Sequence, residues 1–131
     1  MTVAKQAILI KTVEINELNS AFAEWDIVDE LGQPVPLAAV ATFTIDLYDD
    51  LTGTIINSRN VQSILNVNGG TYHATNGHVT FTFQKLDNPV LGTWSRGRRE
   101  THTARFTLTW GATGRWDGEI KLRVANLQRV P

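Results

Sequence analysis

Three histidines, four tryptophans and one arginine-rich loop are the residues of this 131-residue chain whose types could do chemistry. His73 and His78 flank Asn76-Gly77, a strong two-residue hairpin signal, so a turn there could bring them together. A metal site needs a third ligand and an ordered outer shell. The spacing around this pair supplies neither, and no metal is expected. His102 opens the apolar face of a strand pattern, where a histidine bonded to backbone is the expected state rather than a general base. Carboxylates gather at Asp26, Asp29 and Glu30, and again at Asp46, Asp49 and Asp50. Neither group has the loop spacing of an EF-hand, and both fall where strands give way to turns, so solvated turn residues are expected. Ser20, Ser58, Ser63 and Ser95 lie outside any Gly-x-Ser-x-Gly elbow. No glycine-rich phosphate loop joins a strand to a helix. No catalytic set is expected, and no cofactor.

The most basic stretch is Arg96-Gly97-Arg98-Arg99, with Trp94 two residues before it. Arginine beside an aromatic ring can hold phosphate and stack bases. The same pair of residue types is enriched where proteins meet. A net charge of −1 opposes a nucleic-acid module, so the loop reads as an interface. Trp25 and Trp110 fall on apolar faces and belong to a core. Trp94 and Trp116 sit in loop-like contexts, where a ring anchors a partner, stacks on a sugar, or folds back over the core.

The elements that must position these residues are strands. From Thr101 to Trp110 the alternation is strict, with His102, Ala104, Phe106, Leu108 and Trp110 on one face. A period of two over ten residues marks a half-buried strand. Ala21, Ala23, Trp25 and Ile27 repeat the pattern, as do Ala41, Phe43, Ile45 and Leu47. So do Val79, Phe81 and Phe83, and then Ile120, Leu122 and Val124. Asp49-Asp50-Leu51-Thr52-Gly53 reads as a hairpin loop into a strand at Thr54–Asn57. Val61–Leu65 is a short apolar piece, Asn66–Gly70 a turn, and Tyr72–Thr75 a brief strand. Lys85–Glu100 has no periodicity and reads as the longest loop. The first 15 residues are β-compatible, either a first strand or an arm, with a change of phase near Ile8–Ile10.

These signals give seven to nine antiparallel strands with turns every 8–12 residues, the spacing of a β-sandwich or small barrel. The chain length fits one domain over residues 1–131. With no cysteine, no disulfide staples it. No apolar run reaches the roughly 20 residues that span a membrane, and no signal peptide is expected. Residues 1–84 carry 3 Lys/Arg against 9 Asp/Glu, and residues 85–131 carry 9 against 4. Either strands of the two parts interleave and their charges mix, or the subunit is dipolar and one face meets another by complementary potential.

Four segments carry a resemblance. They are Ala23–Gly32 with Pro34–Leu37, Thr42–Asp49 with Thr52–Ile56, Ile56–Asn66, and Glu100–Trp110. Over about residues 20–127 they resemble small structural proteins of tailed-phage virions with an immunoglobulin-like domain, including the N-terminal module of phage baseplate upper proteins. The resemblance implies an immunoglobulin-like β-sandwich and a non-enzymatic role as a capsid decoration protein or head–tail neck component. A tail or baseplate module that binds carbohydrate is the alternative. The implied partners are the major capsid or neck and tail proteins of the same virion and further copies of the chain, with neither membrane nor nucleic acid. On this reading the interface residues are Val3, Ala7 and Ile10 of an N-terminal arm, Trp94, Arg96, Arg98 and Arg99 of the basic loop, and Trp116. The antibody-type core disulfide is absent, since there is no cysteine.

Overall fold

The computed structural model describes residues 8–91 and 99–125. Those residues form eight strands and two short 3-10 turns. The strands are β1 (Ile8–Asn16), β2 (Ala21–Asp26), β3 (Val40–Asp49), β4 (Gln62–Ser63), β5 (Gly70–Tyr72), β6 (His78–Phe83), β7 (Arg99–Trp110) and β8 (Gly114–Ala125). One sheet has the order β1-β8-β7-β3-β4 and the other β2-β6-β5. Their inner faces share one core, so the chain is an all-β, two-sheet structure.

The alternation read from the sequence makes that core. Phe43, Ile45 and Leu47 of β3, Ala104, Phe106 and Leu108 of β7, and Ile120, Leu122 and Val124 of β8 are buried. From the second sheet they meet Ala23, Val79, Phe81, Phe83 and Tyr72. Phe106 sits at the junction, with ring centroids 5.3 Å from Phe81 and 4.9 Å from Trp25. The Phe81 contact is edge-to-face, a geometry that adds about 0.5–1.5 kcal/mol beyond the area it buries. The phase breaks at Ala41, which is exposed rather than inward, because the β3–β7 register shifts between Val40 and Thr42.

Several expectations change. The strands are not all antiparallel, because β1 runs parallel to β8, the last strand in the sequence. No short turn joins these two strands, so hairpin geometry does not set their direction. Their register shifts between Leu9 and Lys11, where the sequence changes phase. The hairpin at Asn76-Gly77 is wider than two residues: β5 ends at Tyr72, and the His73 N–H donates to the His78 carbonyl at 2.9 Å. Gly77 is held by another contact, since its carbonyl accepts the Ile27 N–H and a Cβ there would strike the Ile27 carbonyl. Its φ of +71° also favours glycine. Thr54–Asn57 is not a strand but a single bridge, Tyr48 to Ile55. The aperiodic stretch Lys85–Glu100 holds a 3-10 turn at Lys85–Asp87 and yields Arg99 and Glu100 to β7.

Candidate functional site

At one end of the sandwich the inward positions turn from apolar to ionisable. Asp49 is the last inward residue of β3, and Glu100 and His102 are the first inward residues of β7. Asp49 and His102 are register partners on adjacent strands. All three side chains are buried. His102 Nε2 lies 2.6 Å from Glu100 Oε1 and 3.9 Å from Asp49 Oδ1. Each carboxylate is oriented from outside the cluster. Asp49 Oδ2 accepts from the Thr52 N–H at 3.1 Å and the Thr52 hydroxyl at 2.7 Å. Glu100 Oε1 accepts the Leu91 N–H at 2.7 Å. His102 Nδ1 is buried without a hydrogen-bond partner. Two expectations are therefore corrected: His102 faces carboxylates rather than backbone, and Asp49 is buried rather than solvated. Both follow from strand parity, which places Asp49 two residues beyond Leu47 and Glu100 two before His102.

The outer face of the five-stranded sheet is a set of ion pairs. Arg123 Nη1 binds Glu14 Oε1 at 2.8 Å, with Arg99 Nε 4.0 Å from the same oxygen. Lys121 Nζ reaches Asp50 at 3.1 Å and the Thr103 hydroxyl at 2.6 Å, and Thr103 donates to Asp50. Asp117 binds Arg115 at 2.8 Å and lies 3.6 Å from Arg105. Burial acts to raise the Asp117 pKa, but the Arg115 and Thr107 hydrogen bonds and the two guanidinium charges outweigh it and hold the carboxyl below its ordinary value. β1 and β3, from the acidic part of the sequence, thus interleave with basic β7 and β8, and their charges pair. The three-stranded sheet behaves differently. Its strands contain no Lys or Arg, and its outer face carries Glu24 and Asp26 beside His78. The Asp26–His78 contact is 2.8 Å. Charge mixing holds on one sheet and segregation on the other.

A second buried polar node lies under the segment between β3 and β4. Arg59 donates from Nε to Asp87 Oδ1 at 2.6 Å and from Nη2 to Oδ2 at 3.0 Å. Its Nη1 reaches Gln62 Oε1 and the Asn68 carbonyl, and the guanidinium lies 5.1 Å from the Phe81 ring centroid. Asp87 also accepts from Asn57 Nδ2 and the Gln84 N–H. No local pattern marks these two residues as partners, since they lie 28 positions apart.

Of the residues expected at an interface, Ile10, Arg99 and Trp116 are described. Val3, Ala7, Trp94, Arg96 and Arg98 lie outside the described residues. Ile10 is half-buried against the core in β1. Arg99 opens β7 and is partly exposed. Trp116 is not in a loop but within β8, half-buried, its ring stacked on Trp25 with centroids 6.3 Å apart. Gly118 leaves the space beside it that the Trp116 ring occupies. The described histidines His73 and His78 do not converge on a ligand: His73 Nδ1 accepts backbone N–H groups and His78 Nδ1 faces Asp26.

β1 forms one edge of the five-stranded sheet, with β8 as its single strand neighbour among the described residues. Ile8 is 58% and Leu9 56% exposed on it. Such an edge is a template for another strand. Comparison with protein-family models gives no match, and comparison with curated proteins gives no significant one.

Proposed function

We propose that this chain is a non-enzymatic structural protein of a tailed-phage virion, an immunoglobulin-like sandwich that binds other virion proteins as a capsid decoration or head–tail neck component. The fold part of the reading is supported by strand order. A variable-type immunoglobulin domain places B-E-D in one sheet and G-F-C-C′ in the other. The orders β2-β6-β5 and β8-β7-β3-β4 follow those letters in chain sequence, and β1 takes the remaining edge beside β8.

The observation that carries the assembly part is the β1 edge. A nine-residue strand with Ile8 and Leu9 exposed offers main-chain groups and apolar side chains together. Strand addition uses both, the main chain for affinity and alternate side chains for specificity. The N-terminal residues, expected from the sequence to be a first strand or an arm, lead directly into this strand. Pairing there would extend the five-stranded sheet across a protein boundary.

The experiment is binding of purified protein to particles that lack it, read by co-sedimentation. Leu9→Lys on the β1 edge is expected to reduce bound protein at least tenfold while leaving the thermal midpoint within a few degrees. Arg99→Ala is expected to weaken binding more at low salt than at high salt. Wild-type binding by both variants at every ionic strength would remove the β1 edge and the basic residues from the account.

A further inference from the structure

We propose that Asp49, Glu100 and His102 form a site for one divalent first-row metal ion that ties the end of β3 to the start of β7. The proposal is independent of the virion reading. It also departs from the absence of metal expected from the spacing of His73 and His78 and of the two carboxylate groups.

The ligand atoms are Asp49 Oδ1, Glu100 Oε1 and His102 Nε2, all within 4.8 Å of one another and all on buried residues. A tetrahedral ion bound at its usual distances to nitrogen and oxygen sets its ligands about 3.3 Å apart. The separations of 2.6 and 3.9 Å from Nε2 bracket that value, so displacements below 1 Å would seat an ion.

The outer shell that ligating carboxylates need is in place. Thr52 holds the second oxygen of Asp49 and leaves Oδ1 turned toward Nε2, and the Leu91 N–H fixes Glu100. The imidazole supplies a separate observation. Nδ1 is wholly buried and has no hydrogen-bond partner, so no donor at Nδ1 fixes the tautomer that carries its proton on Nε2. In the bound state Nε2 gives its lone pair to the ion and the single ring proton sits on Nδ1.

One nitrogen and two oxygens suit a borderline ion such as Zn2+ better than Ca2+, which takes six to eight oxygens. The ion would act as a clasp in a chain without cysteine. It would hold the Asp49–Thr54 hairpin against the start of β7.

The test uses the full chain stripped with a chelator and then titrated with Zn2+ alone. One equivalent is expected to bind, and saturating Zn2+ is expected to raise the thermal midpoint by about 5 °C or more. Ca2+ at the same concentration is expected to leave it unchanged. His102→Gln and Asp49→Asn should each weaken zinc binding at least tenfold, and the double variant His73→Gln, His78→Gln should bind as wild type. X-ray absorption of the zinc-loaded wild-type chain reads the ligands without any variant. One imidazole among oxygen donors is expected. No binding, a response to Ca2+ in place of Zn2+, two imidazoles on the ion, or loss of binding in the His73, His78 variant would overturn the site.

Discussion

Removing the Arg59 guanidinium should be among the most destabilising single changes in this protein. Arg59 is 2% exposed and Asp87 is wholly buried, and two charge-assisted hydrogen bonds of 2.6 and 3.0 Å join them. Arg59→Met fills much of the side-chain volume but strands a buried carboxylate on the Asn57 amide and the Gln84 N–H alone. Breaking a buried pair from one side costs about 3–5 kcal/mol, because the remaining charge has lost its compensation. Replacing both partners removes that penalty. Arg59→Met with Asp87→Leu should therefore cost less than the two single changes summed, by about 2 kcal/mol or more. Some cost stays, since the Gln84 N–H and Asn57 lose their acceptor. The assay is urea unfolding followed by tryptophan fluorescence, with midpoint and slope both fitted. Arg59→Lys keeps a positive charge without the planar two-pronged fit and should fall between wild type and Arg59→Met. A cost below about 1 kcal/mol for Arg59→Met, or additive effects in the double variant, would refute the claim that each of these buried charges is compensated by the other.

Val61 has φ of +48° and is 66% exposed, a left-handed conformation for a β-branched side chain. Val61→Gly should therefore stabilise by about 0.5–1 kcal/mol in the same unfolding assay, after allowing for the extra freedom of glycine in the unfolded chain; a destabilisation would contradict the strain argument. Burial raises the Tyr72 phenol to about 12, and its hydroxyl donates to the Val35 carbonyl at 2.6 Å. The folded state therefore holds this proton more tightly than the unfolded chain. The resulting stability is fully present below pH 10 and is lost as pH rises toward 12, by about 2–3 kcal/mol. Tyr72→Phe should cost about 1 kcal/mol at neutral pH and flatten that alkaline loss; an unchanged alkaline slope would show that other groups cause it.

The fold was legible wherever side-chain parity alone decides burial. Phe106 and Leu108 in β7 and Ile120, Leu122 and Val124 in β8 are inward as the alternation requires. Even the phase change near Ile8–Ile10 appears as a register shift. Direction and partnership of distant strands are a different matter. Nothing local to β1 says that it will lie parallel to β8, since that contact spans nearly the whole chain. Trp116 reads as a loop residue in the sequence because the flanking Arg115, Asp117 and Gly118 hide its phase. In the sheet Arg115 and Asp117 pair on the outer face, and Gly118 makes room for the ring. The polar sites follow the same division. Parity puts Asp49 and Glu100 on the inner face, so that part could be read. Their convergence on His102 depends on the β3–β7 register, and Arg59 meeting Asp87 depends on a turn after β6. Neither leaves a mark on the residues nearby.

The most direct test of the virion reading is quantitative mass spectrometry of purified phage particles encoded together with this chain, with the major capsid protein as the internal standard. The account predicts that the chain is present in stoichiometric amounts. About one copy per one or a few capsid subunits marks decoration, and a handful to a few dozen copies per particle mark a neck or tail component. Its absence from the particles would contradict the account.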